Sequence, residues 1–341
     1  MMKLAWYRWL ALLVCTPALA APELVLYNWP YYLAPEVKSL FQQETGIQIK
    51  ELYYDSDEAR NRLLLSEQPP ALDVVVIDYL TLQNNVWASL FMKKPETGYG
   101  NEQYTEPQYR TACGPRAAPY FWGSVGIAYR TTKVKQPITG WHNLLQPEPE
   151  LSGHIVMIDD AMDLVSIALK TLGYSINSND RQELRKAFAL LKQQQPHVLT
   201  YTLSISAIQD PVLSEQTFAV VTYTGDFYSL QAMSKFKDWK YVAPQEGSPL
   251  WVDCLAISKK STHVDDSLRL VNFLTRPDVI RLNSEKLGFA PTTKAAELSD
   301  RTKSNDRVFL TKEHLKVSEY YSSARAINDK LRNAIYFAVL K

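Results

Sequence analysis

The chain has 341 residues, more than one compact core usually organises, and about 150 residues per domain predicts two domains. It is 46% hydrophobic and 21% charged, with a mean hydropathy of −0.23, which excludes a mostly disordered chain. Lys and Arg number 37 against 36 for Asp and Glu, so no basic surplus calls for nucleic acid, and no apolar run in the body of the chain reaches the ~18 residues of a membrane span.

The first 20 residues read as a secretory signal peptide. Lys3 and Arg8 supply the positive region, Trp9 to Cys15 the short apolar stretch, and Ala18-Leu19-Ala20 an A-x-A cleavage site. Val14, before Cys15, is not the small residue of a lipoprotein site. Cleavage after Ala20 removes Lys3 and Arg8 and no acid, turning the net charge from +1 to −1. The expected product is a soluble protein of the periplasm.

Strand and helix signals then alternate. Leu24 to Tyr27 is a short strand, Pro35 opens a helix to Glu44, and Gly46 stops it. Ile47 to Tyr54 reads as a strand, Asp57 to Glu67 as a helix with an acidic first turn, and Leu72 to Ile77 as a buried parallel strand. Further strands are expected at 155–158, 218–223 and 252–258. Helices are expected at 161–172, 181–195, 265–275 and 278–287. Alternation of this kind predicts an α/β protein with mostly parallel sheets, whose ligand sits beyond the carboxyl ends of the strands.

The residues at those ends are aromatics interleaved with carboxylates. Trp29, Tyr31 and Tyr32 follow the first strand, Asp78 and Tyr79 the third, Asp159, Asp160 and Asp163 the strand at 155–158, and Tyr223 and Asp226 the strand at 218–223. With 20 Tyr, 8 Trp and 11 Phe against 12 Gly, the chain is equipped for aromatic walls rather than phosphate-cradling loops. A matching ligand is methylene-rich or flat between the rings and cationic at the carboxylates. Asp160 also fits a helix N-cap, and Trp29 fits plain core.

Catalytic signatures are missing: there is no G-x-S-x-G, H-E-x-x-H, Walker A or G-x-G-x-x-G. His142, His154, His197, His263 and His314 lack metal-ligand spacing, so neither a metal nor a cofactor is expected. Paired carboxylates at Asp159, Asp160 and Asp163 keep an enzyme acting on an amine as the outside reading. After cleavage Cys113 and Cys254 remain, either as a disulfide or as two buried thiols.

Five segments, LYNWPYYLAPEVKSLFQQETGIQI, LDVVVIDY, YFWGSVGIAYR, DDAMDLVSIALKTLGYS and WVDCLAIS, resemble the periplasmic spermidine/putrescine-binding proteins of ABC importers. Order and spacing match along nearly the whole mature chain, including NFLTRPDV and LGFAPTT. The resemblance implies a type II periplasmic binding protein fold: two lobes, each a central β-sheet flanked by helices, with the ligand in the cleft between them. Lobe 1 would hold residues 21–128 and 252–297, and lobe 2 residues 129–251 and 298–341, with two crossings near 127–130 and 250–253.

Ligand residues implied by the matching motifs are Trp29 and Tyr32 of the Y-N-W-x-x-Y segment, Asp160, and Trp251 and Asp253 of W-x-D. Other positions depart from the family pattern. Tyr31 stands where spermidine binders have an acid, and Asp78 where they have Ser. Asp163 replaces the usual Glu, Tyr223 a Trp, Phe289 a Tyr and Tyr321 a Gln. Counting Asp78, Asp160, Asp163 and Asp253 together, the pocket favours a triamine such as spermidine or norspermidine over putrescine. The implied function is a monomeric capture subunit that closes on the polyamine and delivers it to an ABC permease. The alternative is a norspermidine/spermidine sensor that docks on the periplasmic domain of a membrane signalling protein governing cyclic-di-GMP and biofilm.

Overall fold

A computed structural model of the protein describes residues 21–294, 310–322 and 328–341. The expected leader with its cleavage site at Ala20, and residues 298–309 of the expected second lobe, lie outside the described residues.

The apolar run after Leu72 becomes the centre of the first half. Val74–Asp78 (β3) is fully buried through Ile77. Its alternate side chains enter two cores: Val74 and Val76 join Leu24, Leu26, Phe41 and Leu255, whereas Val75 and Ile77 join Tyr27, Cys254 and Ala256. A strand covered on both faces has no polar positions to alternate, and each such side chain contributes about 1.5–3 kcal/mol of burial. Glu23–Asn28 (β1) lies parallel beside β3, and Gln48–Tyr53 (β2) lies parallel beyond it at the sheet edge. The helix Pro35–Thr45 links β1 to β2, with Pro35 in its first turn and Gly46 ending it at φ 75°, a left-handed conformation that side chains resist.

In the second half, Ile155–Met157 (β5) is flanked in parallel by Val198–Tyr201 (β6) and Ala219–Tyr223 (β7). The helices Ala161–Thr171, Arg181–Gln194 and Asp329–Leu340 close one core there through Leu164, Leu191, Ile335 and Val339.

Two strands join the halves. Ala117–Arg130 (β4) runs for 14 residues and Pro249–Ile257 (β9) for nine. From Ala117 to Ser124, β4 pairs with β9; from Val125 onward it pairs with β7 and with Trp239–Val242 (β8). These joins are antiparallel, as is β3 against β9, whereas mostly parallel pairing was expected. The reason is directional: β9 brings the chain back along the line by which β4 left. The exchange of partners falls between Ser124 and Val125, and residues 127–130 are held by β8. The chain leaves β8 at Val242 and enters β9 at Pro249. The chain also runs from Ala290–Pro291 (β10), paired with β4, to the helix Asp329–Leu340, which packs in the core of the second half. On that way Glu319–Tyr320 (β11) pairs with β9.

The cysteines, left open by the sequence, form a disulfide. Cys113 ends the helix Pro107–Cys113, Cys254 lies on β9, and their Cα atoms are 5.9 Å apart. With 141 residues of separation, the loss of chain entropy in the unfolded state is worth up to about 5 kcal/mol. Among the described residues, no helix is long and apolar enough to cross a membrane.

Candidate functional site

Strand register brings two carboxylates together first. Asp78 ends β3 and is the Cα partner of Asp253 on β9. Their surroundings differ. Asp253 is 8% exposed, accepts a hydrogen bond of 2.8 Å from the Tyr32 hydroxyl, and forms no ion pair among the described residues. Burial pushes its carboxyl up to about 7, against the opposing pull of that hydroxyl. Asp78 is instead enclosed: it caps the helix Tyr79–Gln83, accepts from the Thr81 amide and hydroxyl, and pairs with Arg60 at 2.8 Å. Burial alone would raise its pKa, but the Arg60 guanidinium and the Thr81 donors hold it below the usual range.

From Asp253 an unbroken row of rings leads into the second half. Tyr32 meets Phe289 edge-on with centroids 4.4 Å apart, Phe289 meets Trp251 at 6.0 Å, and Trp251 meets Tyr223 at 6.5 Å. The Tyr223 hydroxyl then donates to Asp163 at 2.7 Å, and the Tyr321 hydroxyl donates to the same carboxylate at 2.6 Å. Asp163 is 6% exposed. It sits in the first turn of the helix Ala161–Thr171, whose N-cap is Asp160, accepting from the amides of Met162 and Asp163. Asp160 therefore is the helix cap that the sequence allowed for, and it also places a carboxylate at this end. Trp29 lies off the row, half-buried, with its ring 4.4 Å from Tyr54.

Tyr31 takes neither place. It is 49% exposed at φ 60°, the non-glycine residue with positive φ among those described, and its hydroxyl accepts from the Gln209 side chain at 3.2 Å. Gln209 ends the helix Ser204–Gln209 of the second half, so Tyr31 spans the two halves. A left-handed tyrosine costs roughly 1–2 kcal/mol, which the surrounding contacts must hold.

The site also has features that the expected ligand residues did not include. Arg60 carries no exposed surface and holds both Asp57 and Asp78. Asp226 begins the helix Asp226–Met233 with no hydrogen bond or ion pair to its carboxylate among the described residues, and burial pushes it up to about 7. Its neighbour Gly225 lies so close to Phe289 that a Cβ would overlap the ring. The Tyr79 hydroxyl donates to the Tyr321 carbonyl, linking the helix after β3 to the segment that reaches Asp163. The Trp251 indole N–H and both polar atoms of the Asn28 side chain are buried without partners among the described residues. Asp226 was visible as a carboxylate after a strand; for Arg60 and Asn28 the sequence offered no signal, because burial alone sets them apart.

A two-part α/β architecture with an aromatic row and carboxylates across its junction is the arrangement of a binding protein. The comparisons agree. Residues 37–309 match the family described as bacterial extracellular solute-binding protein, and the chain belongs to that family. It is a family of binding proteins, not enzymes. The chain is similar to a norspermidine sensor of Vibrio cholerae, 31% identical over 96% of this chain and 90% of that one. It is also similar to a spermidine/putrescine-binding periplasmic protein of Salmonella typhimurium, 28% identical over 83% of this chain and 82% of that protein. Among solved structures, the spermidine/putrescine ABC transporter substrate-binding protein PotD of Streptococcus pneumoniae superposes with a TM-score of 0.78 at 24% identity, covering 94% of this chain and 98% of its own. This confirms the expected periplasmic binding protein fold.

Proposed function

We propose that this protein, exported after cleavage near Ala20, binds a polyamine in the cleft and closes on it. The observation that carries the reading is the row Asp253–Tyr32–Phe289–Trp251–Tyr223–Asp163: carboxylates at both ends and rings between. Methylenes lie against rings, and ammonium groups meet carboxylates with charge-assisted hydrogen bonds. The charge count shifts from the one made on sequence. Asp78 is neutralised by Arg60 and drops out, while Asp226, unpaired beside Gly225 and Phe289, enters. Asp253, Asp226 and the Asp160/Asp163 pair make three acceptors, which suit a triamine better than putrescine. Trp29, Tyr31 and Tyr321 complete the surround, with Tyr31 spanning from one half to the other.

A ligand that touches both halves favours closure by its differential affinity, and a partner that reads the closed form reads occupancy. Two outputs follow. Delivery to an ABC permease is supported by the fold shared with the transporter subunit, and docking on a membrane receptor by the likeness to the norspermidine sensor along 96% of this chain. In a deletion strain, loss of labelled polyamine uptake identifies the first; unchanged uptake with altered biofilm identifies the second.

Binding itself is tested by thermal shift on the full chain exported with its own leader, against diamines, triamines, tetraamines, amino acids and sugars. At a hundredfold excess over Kd a ligand adds about 2.7 kcal/mol, or roughly 4–8 °C in Tm. A shift greatest with triamines supports the reading. A shift with sugars or neutral amino acids and none with amines would sink it.

A further inference from the structure

Arg60 lies in the helix Asp57–Leu64, outside every strand end, and has no exposed surface. Its two terminal nitrogens reach Asp57 at 2.7 Å and Asp78 at 2.8 Å, one of them also reaches Thr81 at 3.1 Å, and the guanidinium lies over the Tyr54 ring at 5.6 Å. Tyr54 in turn packs on Trp29, and Asp78 is the register partner of Asp253. A buried guanidinium therefore stands behind the acid end of the cleft. Two adjacent desolvated carboxylates would repel each other and attract two cationic centres; with one of them paired, a single anionic acceptor faces the ligand.

Resting on the polyamine reading, we propose that Arg60 is a specificity-determining residue: by masking Asp78 it limits this end of the cleft to one ammonium group and so sets how many charges the ligand carries. The guanidinium also sets the direction of the chain. An ammonium seated on Asp253 has a cation behind Asp78, so the remaining amines extend along the ring row toward Asp226 and Asp163. Arg60 touches no ligand in this account; it acts through Asp78 and, by way of Tyr54, steadies Trp29.

The test is a cycle of variants titrated calorimetrically at fixed salt with putrescine, spermidine and spermine, each variant first checked by circular dichroism for a cooperative melt. Asp78→Asn leaves Arg60 paired with Asp57 alone and removes one negative charge from beside Asp253. It should weaken spermidine at least tenfold, with the loss growing from the diamine to the tetraamine. The double variant Arg60→Met/Asp78→Asn removes both charges and should return spermidine to within about threefold of wild type. Arg60→Met alone unmasks Asp78 and should improve spermine relative to spermidine by about tenfold. The dependence on ligand charge is a readout that a packing defect would not move. If the double variant folds and stays as weak as Asp78→Asn, Asp78 itself holds the ligand and the inference is overturned. The same follows if the spermine-to-spermidine ratio is unchanged in folded Arg60→Met. Should a single variant not fold, the double variant against wild type decides alone. Wild type binding no polyamine would overturn the functional reading, and this inference with it; wild type binding normally with an unresponsive cycle would remove this inference only.

Discussion

The two ends of the ring row carry the same functional group in opposite states. At one end Asp253 is stripped of water and has one hydroxyl donor, so its carboxyl rises to about 7. At the other, Asp163 receives two tyrosine hydroxyls and sits in the first turn of a helix, where the dipole favours an anion. The first end is a buried carboxyl with one donor; the second is a carboxylate held by two. On the proposed reading, a cation seated at the first end would expel a proton, and one at the second would rely on preset donors. The lesson is that burial and hydrogen bonding, rather than the count of acids, decide which carboxylates greet a cation.

Removing the charge at the first end has the largest expected effect. Asp253→Asn keeps the shape but leaves an ammonium without its counter-charge, and triamine affinity should fall on the order of 100-fold or more by calorimetry. A loss below threefold would break the contrast between the ends.

Acidity probes the same contrast more gently. Asp253 and Asp226 both rise to about 7, so both must ionise to meet a cation. Between pH 6 and pH 8, triamine affinity should rise by about tenfold for each carboxyl, and near pH 7 each should release about half a proton, seen in buffers of different ionisation heat. The ligand-free protein should show the opposite sign. Folded-state pKa values above the unfolded ones make these two groups cost stability as pH rises from about 4 to about 7. Asp78, held low by Arg60 and Thr81, instead contributes stability above its unfolded pKa that is lost as pH falls. In Asp253→Asn the Tm should lose part of its decline over pH 4–7.

The second end should respond least to a single change. Tyr223→Phe removes one of the two hydroxyl donors to Asp163, about 1 kcal/mol, and should weaken the triamine roughly threefold to tenfold without shifting the pH midpoint. A shifted midpoint would mean that Asp163, too, titrates on binding.

Much of this was legible in the chain. The apolar run of β3 declared a doubly covered strand, Pro35 and Gly46 bracketed a helix, and the acids after the strands pointed to the cleft. β4 was not among the expected strands; it contains Pro119, Gly123 and Gly126, which interrupt the apolar pattern of a strand. The structure supplies the reason for the glycines: a Cβ at Gly123 would overlap the Trp251 indole, and one at Gly126 the Tyr241 phenol. Those contacts come from residues more than 100 positions away and leave no local mark. Arg60 is hidden for the same reason. Its spacing from Asp57 reads as an ordinary surface ion pair, and only the third dimension brings Asp78 and burial to it. Cys113 and Cys254 likewise needed the packing of a helix end on β9 before their pairing could be decided.

β4 has one more consequence, a matter of phase. It belongs to both sheets and changes partners across a single peptide step, from Ser124 to Val125. Side chains alternate along a strand, so adding or deleting one residue there would turn everything beyond it to the opposite face. The two halves are keyed to one shaft, and neither can slip a tooth.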